Sequence, residues 1–249
     1  MSILGIIPAR YASTRFPGKP LAEINGRAMI LRVADQAILS GVFDDLLIAT
    51  DDDRIFQTVR EAGYNAVMTS AGHRSGTDRC REALDLWEIS SGKHFDFVIN
   101  IQGDEPFIHP DQIQKTARLL TDDNAPIATL AKPLRNQEEI ESPNVVKVVF
   151  NLHGYALYFS RSPIPYLRDK ANQGRQTAAI HFKHIGIYGF RSEILRQVSM
   201  LPESTLEKTE SLEQLRWLEN GLQIKLDITE HESVAIDSPA DLLKITNMT

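Results

Sequence analysis

Apolar positions along the chain fall into two alternating rhythms. Residues 3–8 and 46–50 are short unbroken apolar runs, the first ended by Pro8 and the second by Asp51-Asp52-Asp53, and both read as buried strands. Between them Met29, Ile30, Val33, Ala37 and Ile38 recur at helical spacing over residues 28–40, and Gly41 stops the pattern. Together these three segments predict a βαβ unit. The alternation continues with a helix over 54–62 stopped by Gly63, a short strand at 66–68, a helix over 77–87 and a strongly apolar strand over 95–101. A helix over 111–120 and a strand over 127–131 follow, so this half of the chain predicts a doubly wound α/β sheet, mostly parallel.

The rhythm changes at Val145. Residues 145–150 and 155–159 flank Asn151-Leu152-His153-Gly154, which predicts a hairpin and the start of a second sheet or edge layer. Residues 161–183 are polar and without period, and are expected to form a loop or a partner-facing excursion. Helices over 191–200 and 211–220, a strand over 223–228 and a closing helix from Pro239 return the chain to the α/β layer. No linker or repeat divides residues 1–249, so one α/β domain is expected, with residues from about 132 to 190 as an inserted excursion. Trp87 and Trp217 read as core or interface residues.

Composition narrows the function. With 27 Lys and Arg against 33 Asp and Glu the net charge is −6, which excludes nucleic-acid binding by bulk charge. At 42% hydrophobic residues the chain has enough apolar surface for a sizeable core, which excludes disorder. The single cysteine, Cys80, rules out an internal disulfide and a thiolate-rich zinc centre. No basic-then-apolar leader and no span of about 20 apolar residues occurs, so a cytoplasmic protein without membrane insertion is expected.

Local charge runs against this acidic average. The loop after the first strand holds Arg10, Arg15 and Lys19, and no carboxylate occurs before Glu23. Such a loop at the carboxyl end of a parallel strand suits a polyanion, with backbone N–H groups and the hydroxyls of Ser13 and Thr14 available to phosphates; the bland alternative is a solvated basic loop. It matches neither GxGxxG nor GxxxxGK[ST], so dinucleotide and P-loop readings fail. Asp104 in Gln102-Gly103-Asp104-Glu105-Pro106 follows the most apolar strand and is placed to hold Mg²⁺ against phosphates, unless it merely satisfies a turn. At the last helix, Ser238, Pro239 and Asp241 complete a helix start without Asp237, which is left for a second metal contact. Ser75, Gly76, Thr77 and Arg79 lie in a polar turn opening a helix, suited to a base or ribose, although Ser75 or Thr77 could be an N-cap only. Arg161, His184, Tyr188, Glu213 and Gln214 form no motif by spacing; His184 alone reads as a structural residue at a strand end and Glu213 as a solvated helix face.

Taken together, these segments resemble the sugar-acid cytidylyltransferase family. The resemblance runs through IPARYASTRFPGKPL at 7–21, TDDDRI at 50–55, SGTDR at 75–79, NIQGDEP at 100–106, KVV at 147–149, YALYFSR at 155–161, HIGIYGFR at 184–191, LEQLR at 212–216 and DSPADL at 237–242. It implies a Rossmann-like α/β fold with a smaller dimerisation region, a homodimer, and transfer of CMP from CTP to the anomeric hydroxyl of 3-deoxy-D-manno-octulosonate (Kdo) for lipopolysaccharide synthesis. By the same resemblance Pro8, Ala9, Arg10, Ser13, Arg15 and Lys19 would hold the triphosphate side of CTP, and Ser75, Gly76, Thr77 and Arg79 its cytidine side. Asp104 and Asp237 would ligate the catalytic Mg²⁺, while Lys19 and Arg10, with a second Mg²⁺ held mainly by phosphates, would neutralise the leaving pyrophosphate. Gln102, Arg161, His184, Tyr188, Glu213 and Gln214 would surround Kdo, Arg161 pairing its guanidinium with the sugar carboxylate. The alternatives are a related sugar acid, 8-amino-Kdo or sialic acid, and a non-catalytic sensor of CTP or a sugar acid.

Overall fold

In the computed structural model, which describes residues 1–12, 16–122, 125–168, 181–232 and 234–246, the predicted alternation becomes a single mixed sheet wrapped on both faces. Strand β1 (Ile3–Ala9) pairs in parallel with β4 (Asp45–Thr50) on one side and β6 (Phe97–Asn100) on the other, and β4 pairs in parallel with β5 (Asn65–Met68). Successive β1 residues point to opposite faces. Ile7 and Ala9 join a core with Ile30 and Val33 of α1 (Met29–Leu39), Ile55 of α2 (Asp53–Glu61) and Ile113 of α4 (Pro110–Thr121). Leu4 and Ile6 join a second core with Cys80 and Leu84 of α3 (Gly76–Ser91), Leu195 of α6 (Ser192–Ser199) and Trp217 of α8 (Gln214–Glu219). Burying both faces is what lets the parallel strands read as unbroken apolar runs.

The long-range pairings depart from the linear reading. The segment read as a loop to Lys183 already becomes strand at His181: β10 (His181–Arg191) runs antiparallel between β6 and β7 (Ile127–Leu134), and β11 (Ile224–Ile228) pairs with β7 in parallel at the edge. A register shift between Ile185 and Gly189 bulges β10 against β7, and Thr129 Oγ1 sits in the bulge within 3.1 and 2.8 Å of the Ile185 and Ile187 carbonyl oxygens. His184 therefore lies inside a long strand, not at a strand end. The predicted hairpin exists as β8 (Lys147–Phe150) and β9 (Ala156–Ser160) and joins the main sheet through β10, as an edge layer of the two alternatives and not a separate sheet. Lys147, which has no predicted role, is fully buried there and donates to the carbonyls of Ser142, Val145 and Arg161.

A small hairpin, β2 (Glu23–Ile24) and β3 (Arg27–Ala28), turns on Asn25-Gly26, both at positive φ, between the first loop and α1. Asn-Gly is the signal that could have predicted it. Two further short helices, α5 (Gln137–Glu141) and α7 (Thr205–Glu210), were also unforeseen, and the last one, α9 (Pro239–Thr246), starts where expected. Ile24, Met29 and Ile236 form a satellite core with Phe16, Phe107 and Leu242, which joins the first loop, the loop after β6 and the segment before α9.

Candidate active site

The strand order turns at β1: the chain moves from it to β4 and β5 on one side, then returns to β6 on the other. At such a switch point the loops part and leave a crevice at the carboxyl ends of the strands. The crevice has a volume of about 310 Å³. Pro8, Ala9, Arg10 and Lys19 line it from the end of β1 and the loop that follows; Ser75, Gly76 and Arg79 line it from the start of α3. Gln102, Gly103 and Asp104 close it from β6, and Asp237 from the segment before α9. His73 and Arg74, not singled out from the sequence, also reach it, although they belong to the same polar turn. Ser13 and Arg15 lie outside the described residues.

Lys19 is the centre of the site. Its ammonium donates to Asp104 at 2.7 Å and to Asp237 at 3.3 Å, joining residues 85 and 218 positions away in the chain. Backbone geometry holds this arrangement. The first loop is closed by Gly18 N–H donating to the Tyr11 carbonyl at 3.0 Å, with Gly18 at φ 73° against the Tyr11 ring, and Lys19 follows in a turn of 3₁₀ helix. Ile236 N–H donates to the Asp104 carbonyl at 2.9 Å, tying the two acidic loops together. Ser238 and Asp241 form the reciprocal cap expected of them, at 3.3 and 3.0 Å. At Gly103 a Cβ would lie 2.7 Å from the Pro8 carbonyl oxygen, so the missing side chain lets the two loops pack closely where both line the crevice.

Ser75 is the N-cap of α3, its hydroxyl accepting from Asp78 N–H at 3.1 Å, and it lines the crevice as well. The unpaired N–H groups of this sixteen-residue helix open beside the cationic loop, which favours a phosphate or another anion. Arg79 is buried, donating to Thr69 Oγ1 at 2.6 Å and to Asp51 at 2.8 Å, so its charge is already paired. Arg10 is exposed at the rim.

Of the other predicted residues only Gln102 lines the crevice; Thr77, Arg161, His184, Tyr188, Glu213 and Gln214 do not. Thr77 donates to Glu213 at 2.8 Å, and burial raises the Glu213 carboxyl against the pull of that bond and of one from Ser75. Tyr188 packs edge-on against Trp217; burial, with Glu213 nearby, raises its phenol well above the ordinary value. The His184 ring tilts against Tyr188, meets Phe159 edge-on and lies 3.0 Å from Thr129 Oγ1; its surroundings push its pKa down, so it is neutral. Gln214 is buried at the start of α8, and Gln102 donates to the Gly186 carbonyl at 3.0 Å. Arg161 gives three of its guanidinium N–H groups to carbonyls, those of Pro143, Glu210 and Ser211.

Residues 4–226 match a family described as cytidylyltransferase. A 3-deoxy-manno-octulosonate cytidylyltransferase of Parabacteroides distasonis is 52% identical, over 98% of this chain and 96% of its own length. One of Cytophaga hutchinsonii is 51% identical, over 99% and 97%. Among solved structures, a CMP:2-keto-3-deoxy-manno-octonic acid synthetase in complex with CTP superposes with a TM-score of 0.89 at 40% identity, covering 100% of this chain and 98% of that one. A 4-diphosphocytidyl-2C-methyl-D-erythritol synthase of Anaerococcus prevotii shares the fold, with a TM-score of 0.63 at 14% identity over 99% of this chain and 97% of its own.

Proposed function

The chain belongs to the cytidylyltransferase family, and from that membership we propose that it transfers CMP from CTP to the anomeric hydroxyl of Kdo, releasing pyrophosphate. It is a CTP-dependent nucleotidyltransferase. The observation that carries the chemistry is the meeting of Lys19, Asp104 and Asp237 beside the N-terminus of α3, in a crevice whose other charged walls are Arg10, Arg74 and Arg79. Nucleotidyl transfer from a triphosphate has little covalent work for the protein to do, so positioning and charge stabilisation dominate.

The site suits Mg²⁺ on the evidence of its donors. Two carboxylates from different loops reach one ammonium, so they converge on a point that a single cation can share, and Mg²⁺ is typically held by one or two carboxylates together with substrate phosphates. Asp104 and Asp237 would hold it; when bound, it supplies Lewis acidity at the α-phosphate and lowers the pKa of the attacking hydroxyl. Lys19 and Arg10 would neutralise the β- and γ-phosphates as pyrophosphate leaves, and the α3 N-terminus would bind anionic oxygen through backbone N–H groups. Ser75 and Gly76 would flank the cytidine, and Gln102, His184, Tyr188, Glu213 and Gln214 the sugar acid. Arg161 would offer its guanidinium to the sugar carboxylate.

The reading extends to a cytoplasmic homodimer that supplies activated sugar for lipopolysaccharide. No helix among the described residues is long and apolar enough to cross a membrane. Exposed Leu152, Leu157 and Tyr166, on and just after the β8–β9 hairpin, support dimerisation through the excursion at about 132–190. Pyrophosphate release by the purified protein with CTP and Kdo, with and without Mg²⁺, tests the reaction; ATP, GTP and UTP serve as nucleotide controls, N-acetylneuraminate and 8-amino-Kdo as sugar controls. Release only with CTP, Kdo and Mg²⁺ is expected. Binding of CTP without release for any sugar acid would move the assignment to a sensor.

A further inference from the structure

Asn100 closes β6 and is 2% exposed, yet its side-chain oxygen has no hydrogen-bond partner among the described residues. Buried polar groups are almost always paired, and an exception calls for a physical reason. Its place in the sheet supplies one. Asn100 stands directly opposite Tyr188 in the antiparallel register of β6 and β10, and the Tyr188 hydroxyl is likewise buried without a partner. On the helix side the Asn100 amide nitrogen lies 3.8 Å from where a Cβ on Gly76 would stand, and Gly76 itself lines the crevice with Pro8. Thr77 and Glu213 meet one residue further along α3. Two polar atoms without partners thus stand at facing strand positions, Asn100 against Gly76 of the crevice wall and one residue along α3 from the paired Thr77 and Glu213.

We propose that Asn100 is a further specificity-determining residue, its carboxamide hydrogen-bonding a hydroxyl of the sugar acid beside the Tyr188 phenol. A polyhydroxylated ligand suits this place because each hydroxyl both donates and accepts, so one can satisfy an amide oxygen and a phenol at the same time. The pyrimidine and triphosphate do not require it: the cationic loop and the α3 N-terminus already provide for charge. The inference rests on the Kdo cytidylyltransferase reading, and its test separates the two.

Asn100→Leu and Asn100→Ala remove donor and acceptor. Wild-type turnover of CTP with Kdo is measured first; its absence would reject the reaction itself, before any variant is compared. In both variants the KM for Kdo is expected to rise on the order of tenfold, the effect of one lost hydrogen bond, with the KM for CTP unchanged. The melting temperature of Asn100→Leu without substrate should equal or exceed that of wild type, since a side chain with an unpaired buried oxygen has been exchanged for an apolar group of similar size. A KM for Kdo within twofold of wild type in both variants would overturn the proposal. A lowered melting temperature with parallel losses toward CTP and Kdo, or failure of both variants to fold, would make Asn100 a structural residue and overturn it equally.

Discussion

Replacing Asp237 by Asn separates chemistry from stability at this site. The Asp237 side chain is 44% exposed and accepts from Lys19 at 3.3 Å, a pair that solvent largely screens, so its loss should cost at most about 1 kcal/mol. For a domain of this size that lowers the melting temperature by roughly 2–4 °C. The substitution leaves the Ser238–Asp241 cap, the place of Ile236 in its satellite core and the Lys19–Asp104 contact at 2.7 Å in position. Turnover should behave differently. Halving the carboxylate set that would hold Mg²⁺ removes several kcal/mol of charge stabilisation in the transition state, on the order of 10²–10⁴ in rate at about 1.4 kcal/mol per decade. The assay is pyrophosphate release at saturating CTP and Kdo over a Mg²⁺ titration, beside a thermal melt of the same preparation. Turnover within about tenfold of wild type at saturating Mg²⁺ would refute the metal assignment. A melting temperature lower by more than about 8 °C would refute the argument that Asp237 is structurally dispensable.

Two further changes probe the scaffold. Gly103→Ala places a Cβ 2.7 Å from the Pro8 carbonyl oxygen, so the loops carrying Asp104 and Arg10 must part; a loss of about 1–3 kcal/mol in urea unfolding is expected together with reduced turnover, and a neutral effect on both would show that the approach is not tight. Glu207 and Arg216 form a pair with side chains 13% and 10% exposed; burial works to raise the Glu207 carboxyl, but the Arg216 guanidinium overrides it and holds the pKa below its ordinary 4.5. A depressed carboxylate contributes stability that is complete above the unfolded value and is lost as pH falls through the folded one. The urea midpoint of wild type should therefore drop below about pH 4.5, while Glu207→Gln, already lower at pH 7, should drop less; equal slopes would reject this role for the pair.

Much of this molecule is decided locally. The apolar runs at 3–8 and 46–50, the helical spacing over 28–40 and the stops at Gly41 and Gly63 specify elements through contacts within a few residues, and these elements stand close to where they were expected. The same holds for the Ser75 cap and the Ser238–Asp241 box, and for the cationic loop whose charge opposes that of the chain. Segment-by-segment resemblance identified the family for a related reason: the loops at the strand ends carry the chemistry in contiguous stretches. Tertiary structure alone decided the partners. Lys19 meets Asp104 and Asp237 only because β1, β6 and the segment before α9 end at one crevice. β10 enters antiparallel between β6 and β7, a long-range pairing that no local pattern encodes, and only there does Tyr188 face Asn100. Lys147 and Arg161 have charges that suggest solvent or substrate; in the fold they find backbone carbonyls, because buried oxygen acceptors must be satisfied by whatever donor the sheet brings within reach.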